Sequence, residues 1–261
     1  MITAGIDVGS MMTKAVILKY DGAYSYAIRE TGIDIPEVVN KVIMDALSQS
    51  RLSFDDIDRI VSTGYGRISI PFPSKTITEI TCNAAGVHNF YPGATLVVDI
   101  GGQDSKVIKL NGAGRVSQFA MNDKCAAGTG KFLEVAAQSL GVGVDALGDL
   151  ALKSQNRIII SNTCTVFAQT EIVSLIARKT NKEDIVAALH ESIVSRVFGL
   201  INSVSSITPE SKAELVMTGG VAKNMAVVKL LSRMMGCEIS VPENPQLITA
   251  FGAALLARHC D

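Results

Sequence analysis

The sequence predicts an α/β protein made of two duplicated lobes, and three observations carry that reading. First, Ile6-Asp7-Val8-Gly9-Ser10 returns 92 residues later as Val98-Asp99-Ile100-Gly101-Gly102. At the same offset Thr13-Lys14-Ala15-Val16-Ile17-Leu18 aligns with Ser105-Lys106-Val107-Ile108-Lys109-Leu110, so eleven positions match in class without a gap. Second, strand-like apolar runs alternate along the chain with helical periodicities, which is the pattern of layered α/β folds. Third, 48% of the 261 residues are hydrophobic and only 19% charged. No apolar run approaches the ~20 residues of a bilayer span, so that apolar content belongs in a large core.

Each copy reads as an apolar strand ending in Asp, a Gly turn, a hydroxyl residue, a Lys and a returning strand, and Gly22 and Gly114 mark the turns that follow. Pro36 suits a first helical turn, with Val38, Val39, Val42, Ile43, Ala46 and Leu47 behind it at helical spacing. Ile57, Ile60 and Val61 form a short strand leading into the turn Thr63-Gly64-Tyr65-Gly66-Arg67. Phe132, Ala136 and Leu140 share a helix face, and Arg157-Ile158-Ile159-Ile160 reads as a buried strand. A helix is expected from about Thr165 to Lys179 and another from Ile185 to Val204. Glu214 to Met217 is a strand entering Thr218-Gly219-Gly220, and Gln246 to Ala257 a helix of small residues. The expected lobe boundary lies near Thr95: residues 1–95 with about 241–261 form the first lobe, and 96–240 the second.

Lys+Arg 24 against Asp+Glu 25 leaves a net charge of -1, which excludes an electrostatically driven nucleic-acid binder. The start Met1-Ile2-Thr3-Ala4-Gly5 has no basic segment followed by a long apolar one, so a cytoplasmic protein without a membrane partner is expected. Its five cysteines, an odd number, argue against a disulfide framework.

Turns of Gly and hydroxyl residues expose backbone N–H groups that cradle phosphate oxygens. Asp7 to Lys14 is one such turn, with Lys14 as a charge partner, and Asp99 to Lys106 is the second. Facing hairpins of this kind hold a magnesium–triphosphate from both sides, Asp7 and Asp99 contacting the waters of the Mg²⁺. The third turn, Met217 to Asn224, lets the backbone approach a flat group such as adenosine. Cys125-Ala126-Ala127-Gly128-Thr129-Gly130-Lys131-Phe132 looks like a Walker loop, but Cys replaces its first Gly and Phe132 its magnesium-binding hydroxyl.

With these turns in this order, nearly the whole chain resembles the actin-like ATPase superfamily of sugar kinases, acetate kinase and heat-shock chaperone ATPases. That resemblance implies two ribonuclease-H-like lobes with ATP in the cleft between them. It places Gly9, Ser10, Met11, Met12, Thr13, Lys14, Gly101, Gly102, Gln103 and Asp104 on the phosphates, with Asp7, Asp99, Gln103 and Asp104 as the catalytic set. Gly219, Gly220 and Ala222 then face the adenosine, with Gln246 close by.

Cys125 and Cys164 lie 39 residues apart, each just before an apolar-faced helix. A helix N-terminus lowers thiol pKa and stabilises anions, among them a thiolate-ligated iron–sulfur cluster. A cubane needs four ligands, which a twofold axis through the cluster supplies as two thiolates from each copy. The other readings are small buried residues, a nucleophile, for which His88, His190 and His259 offer no partner motif, and zinc, which wants two more ligands nearby. Cys82, Cys237 and Cys260 read as ordinary buried thiols.

Asn122-Asp123-Lys124-Cys125-Ala126-Ala127-Gly128-Thr129-Gly130-Lys131-Phe132-Leu133-Glu134 and Asn162-Thr163-Cys164-Thr165-Val166-Phe167-Ala168-Gln169-Thr170-Glu171 resemble the activators of 2-hydroxyacyl-CoA dehydratases. The ATP-binding subunits of benzoyl-CoA reductase share the pattern, and Val61 to Arg67 and Thr78 to Cys82 match as well. The resemblance implies a homodimer bridged by one [4Fe-4S] cluster on Cys125 and Cys164, with ATP or ADP and Mg²⁺ in each copy. It adds Gly128, Gly130, Lys131 and Glu134 to the cofactor-binding residues. The implied activity drives one low-potential electron, supplied by ferredoxin or flavodoxin, into the dehydratase partner at the cost of ATP. Met11 and Met12 stand where the family has small or hydroxyl residues, which predicts altered nucleotide affinity; Asn83 replaces a common His. The alternatives are a small-molecule kinase, a benzoyl-CoA-reductase-like subunit and a chaperone-like ATPase. A kinase wants a catalytic carboxylate beyond Asp7, Asp99 and Asp104, and a chaperone wants a client-binding segment.

Overall fold

In the computed structural model, the described residues are 1–160, 165–205 and 214–260. The elements run β1 (Ile2–Val8), β2 (Met12–Lys19), β3 (Tyr24–Glu30), α1 (Ile35–Ser50), β4 (Arg59–Thr63), β5 (Lys75–Thr76) and α2 (Glu79–Phe90). They continue with β6 (Ala94–Ile100), β7 (Ser105–Leu110), β8 (Val116–Asn122), α3 (Gly130–Leu140), α4 (Leu147–Leu152), α5 (Thr165–Ala177) and α6 (Lys182–Val204). The last are β9 (Glu214–Thr218), α7 (Met225–Met235), β10 (Ile239–Ser240) and α8 (Ile248–Ala257).

Two five-stranded sheets form, in the orders β3-β2-β1-β4-β5 and β8-β7-β6-β9-β10. The orders are the same once counted from the start of each copy, so the repeat seen in the sequence is a repeat of topology. The chain forms two compact units, Met1–Ala94 with Leu110–Ser117 and Pro242–Asp261 in one, and Thr95–Lys109 with Gln118–Val241 in the other.

In the first unit β1 and β2 pair antiparallel with Asp7 opposite Lys14, and β4 runs parallel to β1. Successive side chains of β2 point to opposite faces: Ala15 and Ile17 join the core under α1, while Val16 and Leu18 pack on Leu247, Ala250 and Phe251 of the α8 side. Asp34 caps α1 by accepting from the Glu37 N–H, and Pro36 sits in its first turn. The α8 side owes its closeness to glycines. A Cβ at Gly5 would lie 2.0 Å from the Ala250 carbonyl oxygen, and one at Gly252 1.8 Å from that of Cys82.

In the second unit β6 pairs with β7, placing Asp99 opposite Lys106. Its core gathers Leu96, Val98, Ile100, Phe132, Ala136, Leu140, Ile185, Leu189 and Ile193, so α3 and α6 cover the sheet. The segment Arg157–Ile160, expected as a buried strand, has no strand pairing, and Ile159 is 83% exposed. An apolar run of this length does not distinguish strand from connection by pattern alone. No single described helix is long and apolar enough to cross a membrane.

Candidate functional site

The first hairpin is closed by its own backbone. The Gly9 N–H donates to the Met12 carbonyl at 3.1 Å, and a Cβ at Gly9 would lie 2.9 Å from that oxygen. Thr13 is buried with its Oγ1 3.0 Å from Thr31, which donates in turn to the Gly9 carbonyl. Ser10, Met11 and Met12 are half-buried on the turn. Lys14 reaches across the register to Asp7, Nζ to Oδ2 2.9 Å, with both side chains largely covered. The turn after β4 rests on this strand end: Gly66 N–H donates to the Val8 carbonyl at 3.0 Å. Gly64, at φ +85, leaves room for the Asp7 Oδ1, which a Cβ would approach to 2.6 Å. Cys82 faces the same corner; burial, reinforced by Asp7, pushes its thiol up to about 12. It is an inert buried thiol, as is Cys260 in the same apolar cluster.

The second hairpin repeats the design more tightly. Gly101 N–H donates to the Asp104 carbonyl at 2.9 Å. Lys106, 3% exposed, has its Nζ 2.7 Å from Asp104 Oδ1 and 3.7 Å from Asp99 Oδ2. The Thr218 hydroxyl donates to Asp99 Oδ1 at 2.8 Å, tying the end of β9 to the strand-end carboxylate. Gly102 is half-buried and Gln103 exposed at the hairpin tip. The third turn starts at Gly219, φ +84, whose Cβ would lie 2.3 Å from the Ile100 carbonyl oxygen. A 3-10 turn over Gly220–Lys223 follows, with Ala222 fully buried, and leads into α7. Gln246 is half-buried in the first unit just ahead of α8.

Cys125 is a free, half-buried thiol in the loop before α3. The Asn122 side-chain amide donates to the Cys125 carbonyl at 2.9 Å and to that of Ala127 at 3.2 Å, which fixes the loop's path. Gly128 takes φ +89, and Arg196 of α6 passes beneath it. The start of α3 is bonded to the second hairpin: Gly130 N–H to the Gly101 carbonyl at 2.9 Å, and Lys131 N–H to that of Gly102 at 2.7 Å. Side-chain-free Gly130 allows this, since a Cβ there would meet Gly101 O at 3.2 Å and Gly102 Cα at 3.3 Å. Lys131 pairs with Glu134 at 3.1 Å, both half-exposed, so this pair closes on itself. Cys164 lies outside the described residues. It directly precedes α5, where Val166, Phe167, Val173 and Ile176 stand 67%, 66%, 57% and 41% exposed.

The structure thus brings Asp7 to Lys14, Asp99 and Asp104 to Lys106, and Gly101 and Gly102 to Gly130 and Lys131. Lys106, Asn122 and Thr218 stand in the turns and motif read from the sequence, and the structure adds their partners: Asp104, the Cys125 carbonyl and Asp99. Lys106 was legible as the repeat partner of Lys14, whereas nothing in the spacing of Asn122 or Thr218 announces their partners. Among the described residues, no three His, Cys, Asp or Glu side chains converge as a metal cluster.

Comparison with known proteins gives one consistent result. A model of the BadF/BadG/BcrA/BcrD ATPase family matches residues 4–257. The 2-hydroxyisocaproyl-CoA dehydratase activator of Clostridioides difficile is 43% identical over 260 residues, covering 98% of this chain and 95% of that one. The crystal structure of Acidaminococcus fermentans (R)-2-hydroxyglutaryl-CoA dehydratase component A superposes with TM-score 0.92 at 40% identity, covering 99% and 98% of the two chains. An activator of the 2-hydroxyisocaproyl-CoA dehydratase from Clostridium difficile with bound ADPNP gives 0.88 at 42% identity, over 98% and 94%. A glucokinase from Streptomyces griseus, 13% identical with TM-score 0.59 over the full length of both chains, shares the fold alone.

Proposed function

The chain belongs to the BadF/BadG/BcrA/BcrD ATPase family, and on that premise we propose that it is the ATP-dependent activator of a 2-hydroxyacyl-CoA dehydratase. The observation that carries the reading is the bonded junction of Gly101 and Gly102 with Gly130 and Lys131, which joins a phosphate-type hairpin directly to the loop of Cys125. In this reading Gly9, Ser10, Met11, Met12, Thr13 and Lys14 bind phosphate oxygens from the first hairpin, and Gly101, Gly102, Gln103 and Asp104 from the second. Gly219, Gly220 and Ala222 hold the adenosine side, with Gln246 contributing.

The residues fit an anionic nucleotide. Both hairpins have glycines where a side chain would collide, and each carries a lysine at a strand-end carboxylate. Lys14 and Lys106 offset two of the three charges of Asp7, Asp99 and Asp104, and Asp7 and Asp99 would hold waters of a Mg²⁺ ion, whose charge offsets the remainder. Met11 and Met12 bring no hydroxyl to this turn, and the Thr13 hydroxyl is taken by Thr31, so phosphate recognition there falls to backbone N–H groups, Ser10 and Lys14.

The thiols fit half of a four-thiolate site. Cys125 is free and half-buried on a loop pinned by Asn122, and Cys164 adjoins the first residue of α5. The exposed apolar side chains of α5 belong to a covered surface, because a helix apolar on its outer face is ordinarily buried. Cys125 and Cys164 of two copies therefore complete the ligand set, in a homodimer that excludes water with Val166 and Phe167. When bound, a [4Fe-4S] cluster supplies a one-electron carrier of low potential. Asn122 orients the Cys125 ligand, and the Gly101–Gly130 and Gly102–Lys131 bonds transmit movement of the second hairpin to that loop. The electron comes from ferredoxin or flavodoxin in the cytoplasm and passes to the dehydratase.

Anaerobic reconstitution with iron and sulfide tests this. The expected product is brown and dimeric, with about two Fe per chain, four cysteine thiolates per cubane being the usual set. A colourless protein overturns the electron-transfer reading, and a Cys125→Ser variant that keeps a full complement of iron overturns the ligand assignment.

A further inference from the structure

Behind the third turn lies a buried pair that the reading above does not use. His190 of α6 is 1% exposed, with Nδ1 2.7 Å from the Val186 carbonyl and Nε2 2.8 Å from the Asn224 side-chain nitrogen. The tautomer follows from the partners. A carbonyl only accepts, so Nδ1 carries the proton. The Asn224 Oδ1 accepts from the N–H groups of Ala226 and Val227 at 3.1 and 3.3 Å, so its NH₂ faces the ring and Nε2 accepts. Asn224 is at once the end of the 3-10 turn over Gly220–Lys223, its N–H donating to the Val221 carbonyl at 2.9 Å, and the cap of α7. Gly148 of α4 backs the amide, since a Cβ there would lie 3.0 Å from Asn224 Oδ1.

We propose that His190 is a positioning residue of the nucleotide turn: its neutral ring holds Asn224, and through it Gly219 to Lys223, so that nucleotide affinity falls when the ring is protonated. The proposal rests on the assignment of that turn to the adenosine. A proton on Nε2 sets two donors against each other, and Asn224 can answer only by giving up its cap. Burial already lowers the ring's affinity for a proton, so the neutral form holds at neutral pH. The charged groups around it are spoken for or unfavourable to a cation. A cavity of ≈ 290 Å³ beside His190 is lined from α6 by Asp184 and Glu191, from the preceding segment by Arg157, and from α7 by Lys229 and Arg233. Asp184 accepts from Ser154, Gln155 and Asn156, and Glu191 pairs with Arg157 at 3.4 Å. The α4 lining is Ala151 and Leu152, both apolar.

The test is calorimetric ADP affinity of the full-length protein between pH 7.5 and 5.0, for the wild type, His190→Gln, His190→Leu and Gly219→Val. Titration of the ADP phosphate is common to all and cancels in the comparison. The wild type is expected to lose about fivefold more affinity than His190→Gln as pH falls, the worth of one hydrogen bond, because glutamine accepts from Asn224 without titrating. His190→Leu is expected to bind weakly at both pH values. Parallel pH profiles for the wild type and His190→Gln overturn the proposal, and that comparison stands even if the leucine variant fails to fold. Full ADP affinity in Gly219→Val removes the adenosine assignment itself, and this proposal with it.

Discussion

Replacing Gly219 by alanine tests the third turn, and the structure supplies its own controls. Gly219 combines two demands: φ of +84, and a Cβ position 2.3 Å from Ile100 O and 2.7 Å from Ile100 C. Gly141, which closes α3 at φ +64, makes the first demand without the second, since nothing lies within 4 Å of its Cβ position. Gly143 makes neither. Left-handed α backbone, as at Gly141 (φ 64, ψ 40), costs a non-glycine residue roughly 1–2 kcal/mol, and the extended positive-φ backbone of Gly219 (φ 84, ψ 176) at least as much. The collision at Gly219 is with a strand carbonyl that cannot swing aside, so relief requires shifting β6 or the turn, an overpacking cost of about 1–3 kcal/mol more. The expected order of destabilisation is Gly143→Ala near zero, Gly141→Ala about 1–2 kcal/mol and Gly219→Ala about 2–5 kcal/mol. At roughly 2–4 °C per kcal/mol for a chain of this size, thermal melts resolve all three. ADP titration of the same samples is expected to show loss of affinity in Gly219→Ala alone. If Gly219→Ala melts with Gly141→Ala and binds ADP normally, the close approach of the turn to β6 has no consequence and the reasoning fails.

Other outcomes follow from the same geometry. Lys106→Met leaves Asp99 and Asp104 buried without their ammonium, and a loss of about 3–5 kcal/mol is expected in urea unfolding, with partial recovery in Lys106→Met/Asp104→Asn. Alkylation by iodoacetamide at pH 8, followed by mass spectrometry of the native protein, is expected to label Cys125 and spare Cys82, whose thiol is pushed up to about 12. Asp184, held by backbone and side-chain hydrogen bonds from Asn156 and Ser154, has its carboxyl lowered to about 2 from 3.8. Its contribution is therefore complete above the ordinary carboxylate value and fades as pH falls from about 4 to 2. Melts of Asp184→Asn should lie below the wild type at pH 7 and converge with it near pH 2. For His190 the sign is also acid loss: its lowered folded value means the unfolded chain takes up a proton first, so stability declines as pH drops below about 6.5.

The repeat was legible because a hairpin is a local object. Asp, Gly and Lys keep fixed spacing within each copy, and one offset exposes both. The helices with clear periodicity, such as α1 and α6, were legible for the same reason. The isoleucines of Arg157–Ile160 match a buried strand in composition, but the segment pairs with neither sheet, and composition alone does not report pairing. The two-residue strands β5 and β10 are too short to leave a pattern. In the site, glycines and cysteines could be picked out by type. Their supports could not: Asn122 is an ordinary polar residue until its amide is seen on the Cys125 carbonyl, and His190 and Asn224 are 34 residues apart.

In the proposed function, ATP hydrolysis drives an electron out through a thiolate-bound cluster to a dehydratase. The most direct measurement mixes the reconstituted, reduced protein with a 2-hydroxyacyl-CoA dehydratase and its substrate under anaerobic conditions, following dehydration with ATP, with a non-hydrolysable analogue, and with neither. Dehydration that begins only with ATP, and that vanishes in Cys125→Ser, is the predicted result. Equal dehydration without nucleotide, or full activity from the Cys125→Ser protein, would contradict it.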